Sequence, residues 1–115
     1  MSDQIRSQVV DYLELLADQV AQLRYASSVA IAGVPVEMVS MFADDLFHPA
    51  SPDFLAAFSA DEVRDLAELY GRLCVASDAF SRDNVTSIND ALKVPEYRGT
   101  MAFAKELHAR LVRDA

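Results

Sequence analysis

SSVAIAGVPVEMVSMFADDLF, residues 27–47, is a long apolar stretch with no Lys or Arg, broken once by Gly33-Val34-Pro35. It could span a membrane, form part of a core, or keep a surface greasy and acidic for a partner. A spanning helix needs about 20 consecutive apolar residues. This stretch carries Gly33, Pro35 and Glu37 in its middle and closes on Asp44 and Asp45, so the membrane reading fails. Pro35 suits the first turn of a helix, where a missing N–H costs nothing. His48-Pro49 should end that helix, because the residue before a proline is pushed out of the α region. The stretch is therefore the tail of one helix, a corner, and an amphipathic second helix over 35–47. At roughly 100° per residue, Val36, Val39, Phe42, Ala43, Leu46 and Phe47 share one broad face. Glu37, Ser40, Asp44 and His48 take the opposite one.

The same periodicity extends outward from there. Upstream, Ile5, Val9, Tyr12, Leu16, Val20 and Leu23 recur every three or four residues, with Leu13 and Ala17 widening the stripe, which predicts one helix over about 3–31. About six turns long to residue 25, it should be the spine of the fold. Downstream, Ser51-Pro52-Asp53 starts a short turn over 52–58. Ser59-Ala60-Asp61-Glu62 is a capping box opening a helix over 60–80, with Val63, Leu66, Ala67, Tyr70, Leu73, Cys74 and Phe80 on its buried face. Arg64, Glu68 and Arg72 decorate its outside. After a polar loop at 81–86, Ser87 caps a short helix over 87–93. The last helix, about 96–113, buries Tyr97, Met101, Ala104, Leu107 and Leu111. Four main helices and two short ones, joined by short connections, predict an all-α compact bundle in a single domain covering 1–115.

Composition agrees: of 115 residues 52% are hydrophobic and only 3 are Gly and 4 Pro, which favours helices over a turn-rich β design. The formal net charge is −8, from 18 acids against 10 bases. Phosphate backbones and anionic lipid are bound by basic patches, so no nucleic-acid or membrane partner is expected. One cysteine, Cys74, permits no intramolecular disulfide; with apolar neighbours it reads as core. The first residues lack the basic and apolar regions of a secretory signal, so a cytoplasmic protein is expected and Asn84-Val85-Thr86 is a chance glycosylation triplet.

Glycine-rich phosphate loops, metal-binding cysteine patterns and Glu-x-x-His pairs are missing from the sequence, and no catalytic, cofactor or metal set is expected. His108 falls on an apolar stripe and reads as a packed side chain. If the second helix reaches His48, then Glu37, Met41, Asp44 and His48 form one row. Such a row is the basis of an alternative, a small metal binder or enzyme. A further alternative is a homodimer or larger homo-oligomer, paired through the first helix or the Phe/Met surface.

Charge distribution carries the leading expectation. From Tyr25 through Val63 there is no Lys or Arg, yet Glu37, Asp44, Asp45, Asp53, Asp61 and Glu62 fall inside, among Met38, Met41, Phe42, Phe47, Phe54 and Phe58. Acids around a soft apolar patch suit a surface that docks a basic protein partner. Glu37, Met41, Asp44, Asp45, His48, Asp53, Asp61 and Glu62 are the candidate partner-binding residues. The sharpest form of this reading is an immunity protein or antitoxin that covers the cationic site of a toxic nuclease.

Overall fold

The computed structural model describes residues 2–29 and 33–114. The described residues form seven α-helices: α1 (Ser2–Ala17), α2 (Gln19–Ser28), α3 (Val34–Ser40), α4 (Pro52–Ala57), α5 (Ala60–Arg82), α6 (Ile88–Ala91) and α7 (Pro95–Arg113). A π-helical segment, Met41–Leu46, continues α3. Among the described residues there is no strand, and the all-α bundle follows.

The first departure from expectation is at Asp18. Instead of one helix through residue 25, the chain turns extended there (φ −118°, ψ 108°) and restarts as α2. The Asp18 carboxylate accepts from the backbone N–H groups of Val20 at 2.9 Å and Ala21 at 3.1 Å, satisfying donors at the new helix start. Val20 N–H is thereby diverted from the Leu16 carbonyl it would meet in a continuous helix. The Gln22 side chain takes over, donating its amide to Leu16 O at 2.8 Å and accepting the Tyr97 hydroxyl at 2.5 Å. Gln22 is fully buried, and both its polar atoms are used. Two corrections follow. Val20, placed on the buried stripe, is 59% exposed. The spine role also passes from the first helix to α5, whose 23 residues make it the longest of the described helices. The end of the first helix expected at Ala30 and Ile31 lies outside the described residues.

Gly33 makes the corner with φ +77°, a left-handed conformation that glycine adopts without steric cost. α3 then starts with Pro35 in its first turn, as its sequence dictates. Past Ser40 the backbone widens from i→i−4 to i→i−5 bonding, ending with Phe47 N–H on Phe42 O at 2.8 Å. Just before the widening, the buried Tyr12 hydroxyl donates to the Met38 carbonyl at 2.6 Å. Met38, Val39 and Phe42 are buried, but Val36, expected on the apolar face, is 47% exposed.

Downstream boundaries follow their sequence signals closely. Ser51 caps α4, Ser87 caps α6, and Pro95 stands at the head of α7. Ser59 and Glu62 form the full capping box of α5. That helix runs two residues past Phe80 and ends in a Schellman motif: Asn84 takes φ 54°, and Val85 N–H returns to Phe80 O at 2.9 Å.

α7 packs against both α1 and α5, and α3 and α4 close the remaining sides against α5 and α1. The core they share holds Leu13, Leu16, Met38, Phe42, Phe54, Leu66, Leu69, Leu73, Phe80, Tyr97, Leu107 and Leu111. Met38, Phe42, Phe54 and Phe58 are therefore interior, and most of the Phe and Met side chains of the acidic middle segment are core.

Arg6 ties four of these elements at one end. Its guanidinium donates to both Glu62 carboxylate oxygens at 2.9 Å, to Ala57 O and to Leu111 O at 3.0 Å each, and lies 5.5 Å from the Phe58 ring centroid. The Glu62 oxygen that closes the capping box is one of the two that Arg6 holds.

Candidate interaction surface

The eight candidate residues separate into three groups. Glu62 is held by Arg6 and by the Ser59 N–H, so it faces inward and leaves the outward acidic set. The hydrogen bond from Arg6 holds its carboxyl below the usual range, against the opposing effect of burial. Asp61 is exposed but paired with Arg64 on its own helix. Glu37, Met41, Asp44, Asp45, His48 and Asp53 remain on the segment from α3 to α4, with Glu37 and Met41 half-buried and the others exposed.

That segment does not keep the four-membered row. The π-helical turns take one more residue per hydrogen-bonded turn than α-helical ones, which shifts the register between Met41 and Asp44. His48 lies beyond the helix, its Nε2 3.0 Å from the Asp45 carbonyl oxygen. Met41 meets the Tyr25 hydroxyl through its sulfur at 4.0 Å. Among the described residues no group of three or more His, Cys, Asp or Glu could hold a metal ion, so the row behind the metal-binding alternative is not assembled. His108 is half-buried beside Glu14, Asp18 and Lys105, at a shallow pocket where α7 passes the α1–α2 corner.

Ion pairing sorts the carboxylates. Seven of the ten bases reach an acid: Arg6, Arg64, Arg72, Arg82, Lys93, Arg110 and Arg113. Glu37, Asp44, Asp45 and Asp53 are in none of these pairs. The bases sit on other elements, and 25–63 has none of its own.

On the same segment as Asp44 and Asp45 an aromatic chain surfaces. Tyr12 stacks on Phe42 (5.5 Å between centroids), Phe42 on Phe47 (5.3 Å), and Phe47 on Tyr70 (5.4 Å). Phe54 meets the edge of Phe47 at 5.6 Å. Tyr70, at the outer end, is 39% exposed. Its hydroxyl pKa is raised, chiefly by the Cys74 side chain one turn on, then by burial, and least by the Asp44 carboxylate. Tyr70, Cys74 and Asp78 follow one another at four-residue spacing along α5, and Asp78 is exposed.

Tyr70 and Cys74 both correct the expected buried face. The buried stripe of α5 is Leu66, Leu69, Leu73, Ala76 and Phe80; Ala67 and Tyr70 are exposed, and Cys74 is half-exposed. Sequence reasoning missed Tyr70 as a surface residue. The usable signal was that the Leu66–Leu69–Leu73–Ala76–Phe80 spacing fills a helical stripe with purely apolar side chains, leaving Tyr70 beside it.

A groove of about 590 Å³ lies elsewhere, between α5 and α7, lined by Glu68, Gly71, Arg72, Val75, Glu96 and Thr100 among others. No described helix is long and apolar enough to cross a membrane. The class that fold and surface define is thus an all-α bundle with an acidic, aromatic-edged face. Compared with known proteins, the chain matches no family model, no curated protein and no solved structure.

Proposed function

We propose that this chain is a protein-binding module whose acidic face docks a basic partner. The observation that carries the reading is that Glu37, Asp44, Asp45 and Asp53, on a segment without a base of its own, are in none of the ion pairs, with Asp44 near the exposed Tyr70 that stacks on Phe47. Bases elsewhere in the chain are largely used in pairs, so this field is left for an external cation. Carboxylates with an aromatic flank supply steering and a desolvated contact, both of which a protein interface uses. In its particular form, the partner is a toxic nuclease and this chain an immunity protein or antitoxin: phosphate-binding sites are cationic, and an acidic bundle can block one without chemistry of its own. The fold serves as a rigid mount for that face.

The test is affinity capture with the tagged chain at low salt, followed by identification and elution. The reading expects a strongly basic protein that elutes by about 0.5 M salt, where the screening length falls to a few ångströms. A captured protein that is not basic, or a complex indifferent to salt, contradicts it.

A further inference from the structure

The acidic face holds one feature that selects among basic side chains. Tyr70 presents a half-exposed ring whose other side is stacked on Phe47 at 28° and 5.4 Å, so the ring is held rather than free to swing. Asp44 is exposed on the π-helical segment, three residues before the Phe47 ring that stacks on Tyr70, and its charge acts on the Tyr70 hydroxyl. A fixed aromatic face beside a carboxylate matches a guanidinium, which stacks flat on a ring while its N–H groups reach an anion. An ammonium fits less well, being a compact, strongly hydrated point charge. The molecule already uses guanidinium–ring stacking twice, Arg6 on Phe58 at 5.5 Å and Arg72 on Phe103 at 4.7 Å. Among the described residues no such cation stands over Tyr70.

We infer that the partner docks an arginine side chain onto the Tyr70 ring beside Asp44, so that the face distinguishes arginine-bearing from lysine-bearing surfaces. The occupant is set by charge complementarity: 25–63 supplies acids and no base, and Tyr70 opens onto it through Phe47. This rests on the acidic-face reading and adds a choice between cations that the reading alone does not make.

The probes are nona-arginine and nona-lysine peptides, titrated by NMR against the full chain at low salt. The native chain is expected to bind nona-arginine about two- to fivefold more tightly than nona-lysine, the size of one exposed cation–π contact. Tyr70→Ala should remove that preference, weakening nona-arginine more than nona-lysine until the two bind alike, and Tyr70→Phe should retain it, since the ring and not the hydroxyl is the contact. An unchanged helical circular dichroism spectrum for Tyr70→Ala excludes unfolding as the cause. Equal binding of both peptides by the native chain, a preference that survives Tyr70→Ala, or one lost in Tyr70→Phe overturns the inference and leaves the acidic face standing. No binding of either peptide overturns both.

Discussion

Arg6 and Glu62 show how far a single residue pair reaches. Their side chains are only 20% and 12% exposed, and between them they join α1, α5 and the last carbonyls of α4 and α7. Glu62→Gln should cost about 2–3 kcal/mol, the range for charge-assisted hydrogen bonds in a partly buried setting. The pH dependence has a definite sign. The folded Glu62 carboxyl lies below its ordinary 4.5, so its stabilisation is complete above that value and is lost as pH falls through the lower folded one. Acid unfolding of Glu62→Gln should therefore lack that limb in urea melts between neutral and acidic pH. The buried tyrosines act at the other end. Burial raises the Tyr12 and Tyr97 hydroxyls above their ordinary 10.0, so their contribution is intact below pH 10 and declines as pH rises beyond it. Tyr97→Phe leaves the Gln22 carbonyl without its donor in a dry core and should cost about 1–3 kcal/mol by denaturant unfolding. At this scale the sequence was only partly legible. Glu62 reads equally well as an outward acid or as a capping acid, because its partner Arg6 is 56 residues away. Tyr70 was ambiguous because a tyrosine beside an apolar stripe fits either side of its edge.

At the scale of elements, legibility tracked local chemistry. Pro35, Ser51, the Ser59–Glu62 box, Ser87 and Pro95 mark helix starts by properties of the marked residues themselves. The Asp18 break carries a capping residue too, but one set inside an unbroken helical stripe, and the π-helical turns carry no local mark. Each is stabilised by a distant side chain, Gln22 with Tyr97 in one case and Tyr12 on Met38 in the other. Asp18→Ala should destabilise the fold by about 1 kcal/mol through loss of the cap. The two glycines inside long helices make a prediction of opposite sign. A Cβ at Gly71 or Gly99 meets nothing within 4 Å, so neither is required by internal packing. Gly71→Ala and Gly99→Ala should each stabilise by about 0.5–1 kcal/mol, read as a rise in thermal midpoint, because alanine loses less backbone entropy in a helix.

Across the whole molecule the charge is polarised. Up to residue 57 there are eight acids against two bases, whereas α5 and α7 together carry seven of each. That imbalance was visible in the sequence, since it needs only counting. What the sequence could not supply was the pairing that removes Asp61 and Glu62 from the field and leaves Glu37, Asp44, Asp45 and Asp53 free. A net charge of −8 also keeps a protein soluble, and solubility does not depend on where the acids lie. The two roles separate when equal charge is removed from different faces. One variant combines Asp44→Asn, Asp45→Asn and Asp53→Asn. Its control combines Asp3→Asn, Glu14→Gln and Glu106→Gln, exposed acids on α1 and α7 that are in no ion pair. Each variant removes three of the 18 acids, taking the formal charge from −8 to −5. The affinity of both for nona-arginine at low salt is the deciding measurement. A docking face predicts a loss of roughly fivefold or more, about 1 kcal/mol, in the first variant and little change in the control; equal losses in the two would contradict it.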